Sequence, residues 1–335
     1  MKPGVLIFIN WKTPHLVVRA MQTVRATASQ PELLRLVIVD NASGDDSLSV
    51  FARELPEAEV VAMPFNSGFA KAVNAGLARV RDEAFAFVLN TDIEFRNDAI
   101  GLLQAALEAD RLAVLACPKL LRPDGSIQAS AIPEPKIGWE LTNRSLPRHL
   151  MRLPPGTAVV PGIVGPCMAV HMERLRQVPR LDSRTVDLTP WAGPAGGDSK
   201  TIPYLDERFF FFFEETDWCK RITDAGLHVL SVPEAEVMHL QVESANRRPV
   251  RARLQFYLSR YKYFRKHNGM VGLAILFIGL WFRLTLDLLL HALLAGLCFW
   301  QARHRDRVAV YAALWWWHAR LCRPAWAFEP EGWGK

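Results

Sequence analysis

The sequence has 335 residues, of which 50% are apolar and 22% charged, and its formal net charge is +6. These proportions exclude a disordered chain and fit one large α/β domain, alone or with a substantial appendage. A basic surplus suits nucleic acid, a membrane surface or anionic substrates, and the position of the charge decides among them.

Val5 to Ile9 is a short continuous apolar run, the pattern of a strand buried on both faces. It is too short for a signal-peptide core, so the first part of the chain is expected to stay in the cytoplasm. A helix is expected from about Pro14 to Ala28, with Pro14 suited to a first turn. Leu36 to Val39 reads as a second buried strand, ending at Asp40-Asn41, and Ser43 to Asp46 as a turn into a second helix. Val60 to Met63 is a third strand, Gly68 to Arg81 a third helix, and Phe85 to Leu89 a fourth strand that ends at Asn90-Thr91-Asp92. This βαβαβαβ order predicts a mixed, mostly parallel sheet flanked by helices, an α/β fold. Ligands of such sheets bind outside the carboxyl ends of the strands, where Asn10, Asp40-Asn41 and Asn90-Thr91-Asp92 fall.

Arg122 to Ser126 is a turn signal. Residues 182–203, rich in Pro and Gly, read as a long loop of the kind that shapes binding sites. Glu214 to Gly226 reads as a helix with Gly226 as its stop, and His228 to Val232 and Glu236 to His239 as two short strands. The cysteines, Cys117, Cys167, Cys219, Cys298 and Cys322, have no CxxC pair or metal-ligand spacing, which points to a reduced setting.

Several groups could carry chemistry. Asp92, at a strand end, suits a divalent cation that bridges two phosphates, and equally a turn or helix cap. Glu214, Glu215 and Asp217 follow five phenylalanines at a helix start. The helix dipole favours anions there, yet a carboxylate against an apolar wall also gains proton affinity, which suits a general base. The spacing places Glu214 and Asp217 on one side and Glu215 on another. His239 becomes a candidate ligand if it faces Asp92. Asn66 to Gly76, with Gly68, Lys71 and Asn74, enters a helix whose N-terminus suits a phosphate. It is not GxGxxG, and no P-loop lysine motif is present, which disfavours dinucleotide and ATP folds.

Together these segments resemble the inverting family 2 glycosyltransferases of GT-A (Rossmann-like) fold, and within them the rhamnosyltransferase-type members. Val39 to Ser43 resembles the family's VDNAS strand end, Asn66 to Gly76 its N-x-GF…N-x-G helix, and Leu89 to Asp92 its LNPD form of the DxD motif. Leu120 to Ser130 resembles a further common segment. Leu205 to Phe210 with Glu214 to Cys219 resembles FDERFF…EDxDxC, and Val232 to Ala235 with His239 resembles VPEA…H. The match spans about residues 4–243.

The resemblance implies a nucleotide-sugar donor, with Asp40 on the nucleobase and Asn41 beside it. Asn10, Asn66, Gly68, Lys71, Asn74, Asn90 and Thr91 are carried as further donor-site candidates. It implies Mg²⁺ or Mn²⁺ on Asp92 and His239. It implies a base at Glu215, where the family usually has Asp, so that Glu214 competes for the role. Asn90 stands at the first acid of DxD, which leaves the metal fewer anionic ligands. The implied reaction is a single in-line displacement with inversion. dTDP-rhamnose is the favoured donor and UDP-hexoses come next. A glycan or lipid-linked acceptor of bacterial surface polysaccharide synthesis is implied.

From Ser244 to Leu286 there is no acidic residue against nine basic ones, including Arg247, Arg248, Arg251, Arg253, Arg260, Lys262, Arg265, Lys266 and Arg283. Two apolar runs follow, Asn268 to Phe282 and Leu288 to Trp300, each shorter than the roughly 18 residues of a span. Arg283, Asp287 and His291 mark one helix face, and Trp281, Trp300 and Trp315 to Trp317 add interfacial aromatics. The expected organisation is a catalytic domain, 1–243, and a membrane-associating tail, 244–335. The tail lies on an anionic bilayer, peripheral or monotopic on the cytoplasmic face; a true span and a soluble helical subdomain are the alternatives. Nucleic acid is disfavoured, since no motif for it accompanies the charge. A non-catalytic scaffold that binds nucleotide-sugar or glycan is the competing function, and a nucleotidyltransferase a weaker one. The oligomeric state is not legible.

Overall fold

The computed structural model describes residues 1–142, 154–178, 204–241, 249–297 and 302–322. The expected 182–203 loop, Arg247, Arg248, Cys298 and Trp300 lie outside the described residues.

The first half alternates as its apolar runs dictate. β1 (Gly4–Asn10) leads to α1 (Pro14–Thr27), β2 (Leu34–Asp40) to α2 (Ser47–Glu54), and β3 (Glu59–Ala62) to α3 (Phe69–Leu77). β4 (Phe85–Asn90) and β5 (Ile93–Phe95) flank the Thr91-Asp92 turn, and α4 (Ala99–Ala109) follows, its Asp98 cap accepting from the Gly101 amide at 3.1 Å. Then come β6 (Ala113–Leu121), β7 (Ile127–Gln128), β8 (Ala131–Ile132), α5 (Ile137–Thr142), β9 (Ala158–Val159), β10 (Gly162–Ile163), β11 (Cys167–His171) and α6 (Met172–Leu175). α7 (Glu214–Asp224) and β12 (His228–His239) complete the sheet, and α8 (Pro249–Leu297) and α9 (Ala302–Ala319) form the tail.

The main sheet has the order β3-β2-β1-β4-β11-β6-β12-β5. β3, β2, β1 and β4 run parallel, as do β6 and β12, while β11 and β5 run antiparallel to their neighbours. Alternate residues of the central strands feed two cores. Leu6, Phe8, Ile38, Phe87 and Leu89 meet α1 and α4, and Val5, Ile7, Val37, Val39 and Val88 meet α3 and α7. The fold is a mixed α/β sheet covered on both faces, as the resemblance implies. The two strands expected over 228–239 are one strand with a register shift between Val232 and Glu236, because Pro233 interrupts the ladder.

The tail corrects one expectation. Its apolar runs are not separate short segments. After a break at Gly269 (φ 68°, ψ −168°) the helix continues unbroken to Leu297, and by length and composition it is long enough to cross a bilayer. The Arg283–Asp287–His291 stripe faces protein rather than water. Arg283 donates to the Glu140 carbonyl at 2.6 Å, Asp287 lies 3.8 Å from Arg283, and His291 stacks on Tyr311 of α9 at 5.2 Å. The opposite face exposes Val271, Ile275, Ile278, Phe282, Leu289, Leu293 and Leu297. Trp317 is fully buried and Trp315 donates to Thr285 at 3.0 Å, so Trp316 is the exposed tryptophan of the described trio.

Candidate active site

The parallel register sets Asn10 beside Asp40 and Ile9 beside Asn90, which aligns three strand ends on one rim of the sheet. Asp40 is buried and heavily bonded. Its Oδ1 accepts from Asn10 Nδ2 at 2.8 Å and from Ser43 Oγ at 2.5 Å, and its Oδ2 accepts from the Ser43 amide at 3.1 Å. The Asn10 amide also reaches Ser43 and Ser47, both at 3.1 Å, and its oxygen accepts from the Thr13 amide at 3.3 Å. Thr91 meets Thr13 hydroxyl to hydroxyl at 2.8 Å. Asn10 therefore orients Asp40, and its own polar capacity is taken up by protein.

The α3 entry is likewise internally bonded. Asn41 donates to Asn66 Oδ1 at 3.1 Å and to the Gly68 carbonyl at 3.2 Å, and accepts from the Ser67 amide at 2.9 Å. The Phe69 amide, which a phosphate would need, donates to the Phe210 carbonyl at 2.8 Å. Gly68 has φ +84°, and a Cβ there would lie 2.3 Å from the Phe210 oxygen. Asn74 bonds both backbone groups of Leu205, at 2.8 and 2.9 Å, and Lys71 lies over the Phe65 ring at 5.6 Å. Asn41, Asn66, Gly68 and Asn74 thus build the rim, and Asn74 and the Gly68-Phe69 step dock Leu205 and Phe210 onto it.

Asp92 and His239 come together. Antiparallel pairing of β5 with β12 sets His239 opposite Ile93, and His239 Nε2 lies 3.4 Å from Asp92 Oδ2. Ligands at right angles around a Mg²⁺-sized ion sit about 3 Å apart, so the pair fits two adjacent positions of one cation. His239 Nδ1 lies 3.0 Å from the amide oxygen of Gln128, which also accepts from Gln241 at 3.1 Å. An amide oxygen only accepts, so Nδ1 carries the proton towards Gln128 and Nε2 is the ring nitrogen that faces Asp92. Among the described residues no group of three or more His, Cys, Asp or Glu is placed to hold a metal ion. Asn90 is half-buried at the same strand end, its amide held by the Pro166 carbonyl at 2.9 Å. Gln128 was not singled out from the sequence, although it lies in the Leu120–Ser130 segment, just after the Asp124-Gly125 turn.

The acids of α7 divide. Glu214 is buried, and burial, then the neighbouring Glu215 charge, raises its proton affinity well above the ordinary range. Glu215 is half-buried, and burial pushes it up to about 7. One oxygen of each carboxylate is enclosed without a hydrogen-bond partner. Asp217 is different. Burial would raise it, but Lys266, then Arg221 and His267, hold it far below the ordinary range. It lies 2.6 Å from Lys266 Nζ, 3.0 Å from Arg221 Nε and 2.8 Å from His267 Nε2. The charge of this fully buried carboxylate is thus taken up by protein groups.

The glycosyl transferase family 2 model matches residues 10–175, which contain this rim and Asp92. Residues 10–175 belong to glycosyl transferase family 2. The chain is 25% identical over 279 residues to the N-acetylglucosaminyl-diphospho-decaprenol L-rhamnosyltransferase of Mycobacterium tuberculosis (strain CDC 1551 / Oshkosh), covering 76% of this chain and 82% of that one. Its fold is similar to that of GalNAc-T7 solved with UDP, GalNAc and Mn²⁺ (TM-score 0.53, 13% identity, 81% of this chain and 51% of the other). It thus spans about half of that structure's length. It is also similar to the mannosyltransferase PcManGT from Pyrobaculum calidifontis in complex with GDP-Man and Mn²⁺ (TM-score 0.51, 15% identity, 98% of this chain and 88% of the other). At these identities the two structures bear on the fold of this chain alone.

Proposed function

We propose that this family 2 glycosyltransferase moves a sugar, with inversion, from a nucleoside-diphosphate sugar to a lipid-linked or glycan acceptor. The observation that carries the reading is the Asp92–His239 pair at the carboxyl rim of the sheet, 3.4 Å apart. A bound Mg²⁺ or Mn²⁺ would supply charge neutralisation for the leaving diphosphate. Asp40, oriented by Asn10 and Ser43, would read the nucleobase. Glu215, with a proton affinity near neutrality, would take the proton from the acceptor hydroxyl as that oxygen attacks the anomeric carbon. The bond from that carbon to the diphosphate oxygen breaks on the opposite face, and the nucleoside diphosphate departs. Enclosure of the glutamate pair favours Glu215 over the more deeply buried Glu214 as the proton acceptor.

dTDP-rhamnose is the favoured donor and a prenyl-diphosphate-linked sugar the favoured acceptor, on the likeness to the mycobacterial rhamnosyltransferase. An acceptor of that kind lies at a membrane. The apolar stripe from Val271 to Leu297 would rest on the cytoplasmic leaflet as a monotopic surface. An interfacial pose is favoured over a span because α5 leans on the first part of this helix: Gly279 packs against Leu141, and Arg283 holds the Glu140 carbonyl. The test is a donor screen with the full chain in detergent. dTDP- and UDP-sugars are titrated with and without Mn²⁺, and binding and slow hydrolysis are recorded. Metal-dependent binding of one donor supports the reading; absence of binding to every donor removes it.

A further inference from the structure

α7 begins at a strained step. Phe212 (φ 69°) and Phe213 (φ 68°) both adopt left-handed backbone, a region that residues with bulky side chains avoid. Two such residues in succession persist only where their surroundings over-determine them. The surroundings are supplied by the first part of the tail helix, residues 249–268. The Phe211 carbonyl accepts from Ser259 Oγ at 2.7 Å and from Gln255 Nε2 at 3.5 Å. The Phe212 and Phe213 rings meet Phe256 at 5.5 and 5.3 Å, and Phe213 also meets Tyr263 at 5.4 Å. Lys262 donates to the Arg208 carbonyl at 2.7 Å.

The same helix grips both ends of the segment that contains the step. Lys266 Nζ lies 2.7 Å from Asp206 Oδ2, before the phenylalanines, and 2.6 Å from Asp217 Oδ1, after the glutamates. Its side chain is 2% exposed. One ammonium thus closes the segment 206–217, and Glu214 and Glu215 ride on the closed part. Much of the basic charge of the tail serves this docking rather than a bilayer. Arg260 pairs with Glu140 at 3.2 Å, and Lys262, Lys266 and Arg283 hold groups of the sheet-bearing part.

We infer that helix 249–268 is a positioning element of the active site, with Lys266 as the positioning residue that fixes the direction in which Glu215 leaves α7. The inference rests on the reading of Glu215 as the base. It moves the functional boundary from residue 243 to Gly269, where the helix breaks and its apolar stripe begins. Without the ammonium, two buried carboxylates share Arg208, Arg221 and His267 and repel each other, and the strained step between them relaxes. Glu215 then loses its aim while the nucleotide rim around Asp40 and Asp92, built from other elements, stays intact.

The test compares the full chain with Lys266→Met, Lys266→Arg, Glu215→Gln and the double variant Gln255→Ala/Ser259→Ala. The probe is dTDP-rhamnose with Mn²⁺. Donor affinity and donor hydrolysis are measured from about pH 5 to about pH 9. Lys266→Met should bind donor within about threefold of the parent while kcat falls at least about tenfold and the pH midpoint of kcat moves. Lys266→Arg should recover most of the rate. The double variant leaves the ion pairs in place and should lower kcat at unchanged donor affinity; it decides the question alone if Lys266→Met does not fold. A folded Lys266→Met, or double variant, with parental kcat and pH midpoint overturns the inference. Parental hydrolysis by Glu215→Gln instead removes the base assignment, a separately visible failure.

Discussion

His239 faces Asp92 across the β5–β12 ladder, with Nε2 3.4 Å from the nearer carboxylate oxygen. Gln128 holds the far side of the imidazole at 3.0 Å. A side chain that holds the far nitrogen of a metal-binding histidine is worth about 10–100-fold in metal affinity. Gln128→Ala should therefore weaken Mn²⁺-dependent donor binding by about 10–100-fold without changing metal-independent binding. His239→Ala should remove the metal dependence itself. Calorimetric titration of donor with and without Mn²⁺ reads both, and equal metal dependence in His239→Ala and the parent would contradict the assignment.

The Asp92–His239 meeting was legible in the sequence only as a condition. Each residue ends a strand, but which strand ends adjoin is set by sheet order, and β5 is only three residues long. The alternating half was readable because each strand of β1, β2 and β4 is buried on both faces and carries a continuous apolar run. The opposite held for Asn41, Asn66 and Asn74. Their motif spacing does not say which chain groups the amides bond, and the contact of Asn74 with Leu205, far away in sequence, is set by the fold. Lys266 carried no local signal, since its partners Asp206 and Asp217 lie in another element. The tail's basic run reads as a membrane patch until its inward half is seen to dock on protein.

Gly68 is a sharp test of the rim. Its φ of +84° disfavours any Cβ, and the added carbon would sit 2.3 Å from the Phe210 carbonyl oxygen. Gly68→Ala should destabilise the fold by about 2–4 kcal/mol, measured by denaturant unfolding. A loss below about 0.5 kcal/mol would mean that the Phe210 segment does not dock on α3.

The glutamate pair sets a pH dependence of stability. Burial raises Glu215 from 4.5 to about 7, so the folded chain holds this proton where the unfolded chain has lost it. The resulting stabilisation is complete below about pH 4.5 and is lost as the pH rises towards 7. Glu214 shifts in the same direction. Glu215→Gln, which cannot ionise, should gain about 1–2 kcal/mol over the parent at pH 8; this allows for partial solvent contact, and the gain should vanish near pH 4.5. Asp217 acts with the opposite sign, its contribution disappearing as the pH falls below the ordinary carboxylate range. Parallel stability curves for the two proteins between pH 5 and pH 8 would contradict the enclosure of Glu215.

The exposed stripe predicts membrane binding that is separable from folding. Leu289 is 62% exposed and Leu293 61%. Leu289→Glu/Leu293→Glu should leave the unfolding midpoint within about 0.5 kcal/mol of the parent and reduce co-flotation with anionic vesicles several-fold. Unchanged flotation would place the membrane contact elsewhere on the chain.

The central claim is that Glu215 takes the acceptor proton in a metal-assisted sugar transfer. Single-turnover transfer from dTDP-rhamnose to a prenyl-diphosphate-linked N-acetylglucosamine, comparing the parent with Glu215→Gln at matched donor occupancy, tests it most directly. A loss of about 10²–10⁴-fold in rate with donor affinity preserved is the predicted result. Equal rates in the two proteins, with donor bound equally well, would contradict it.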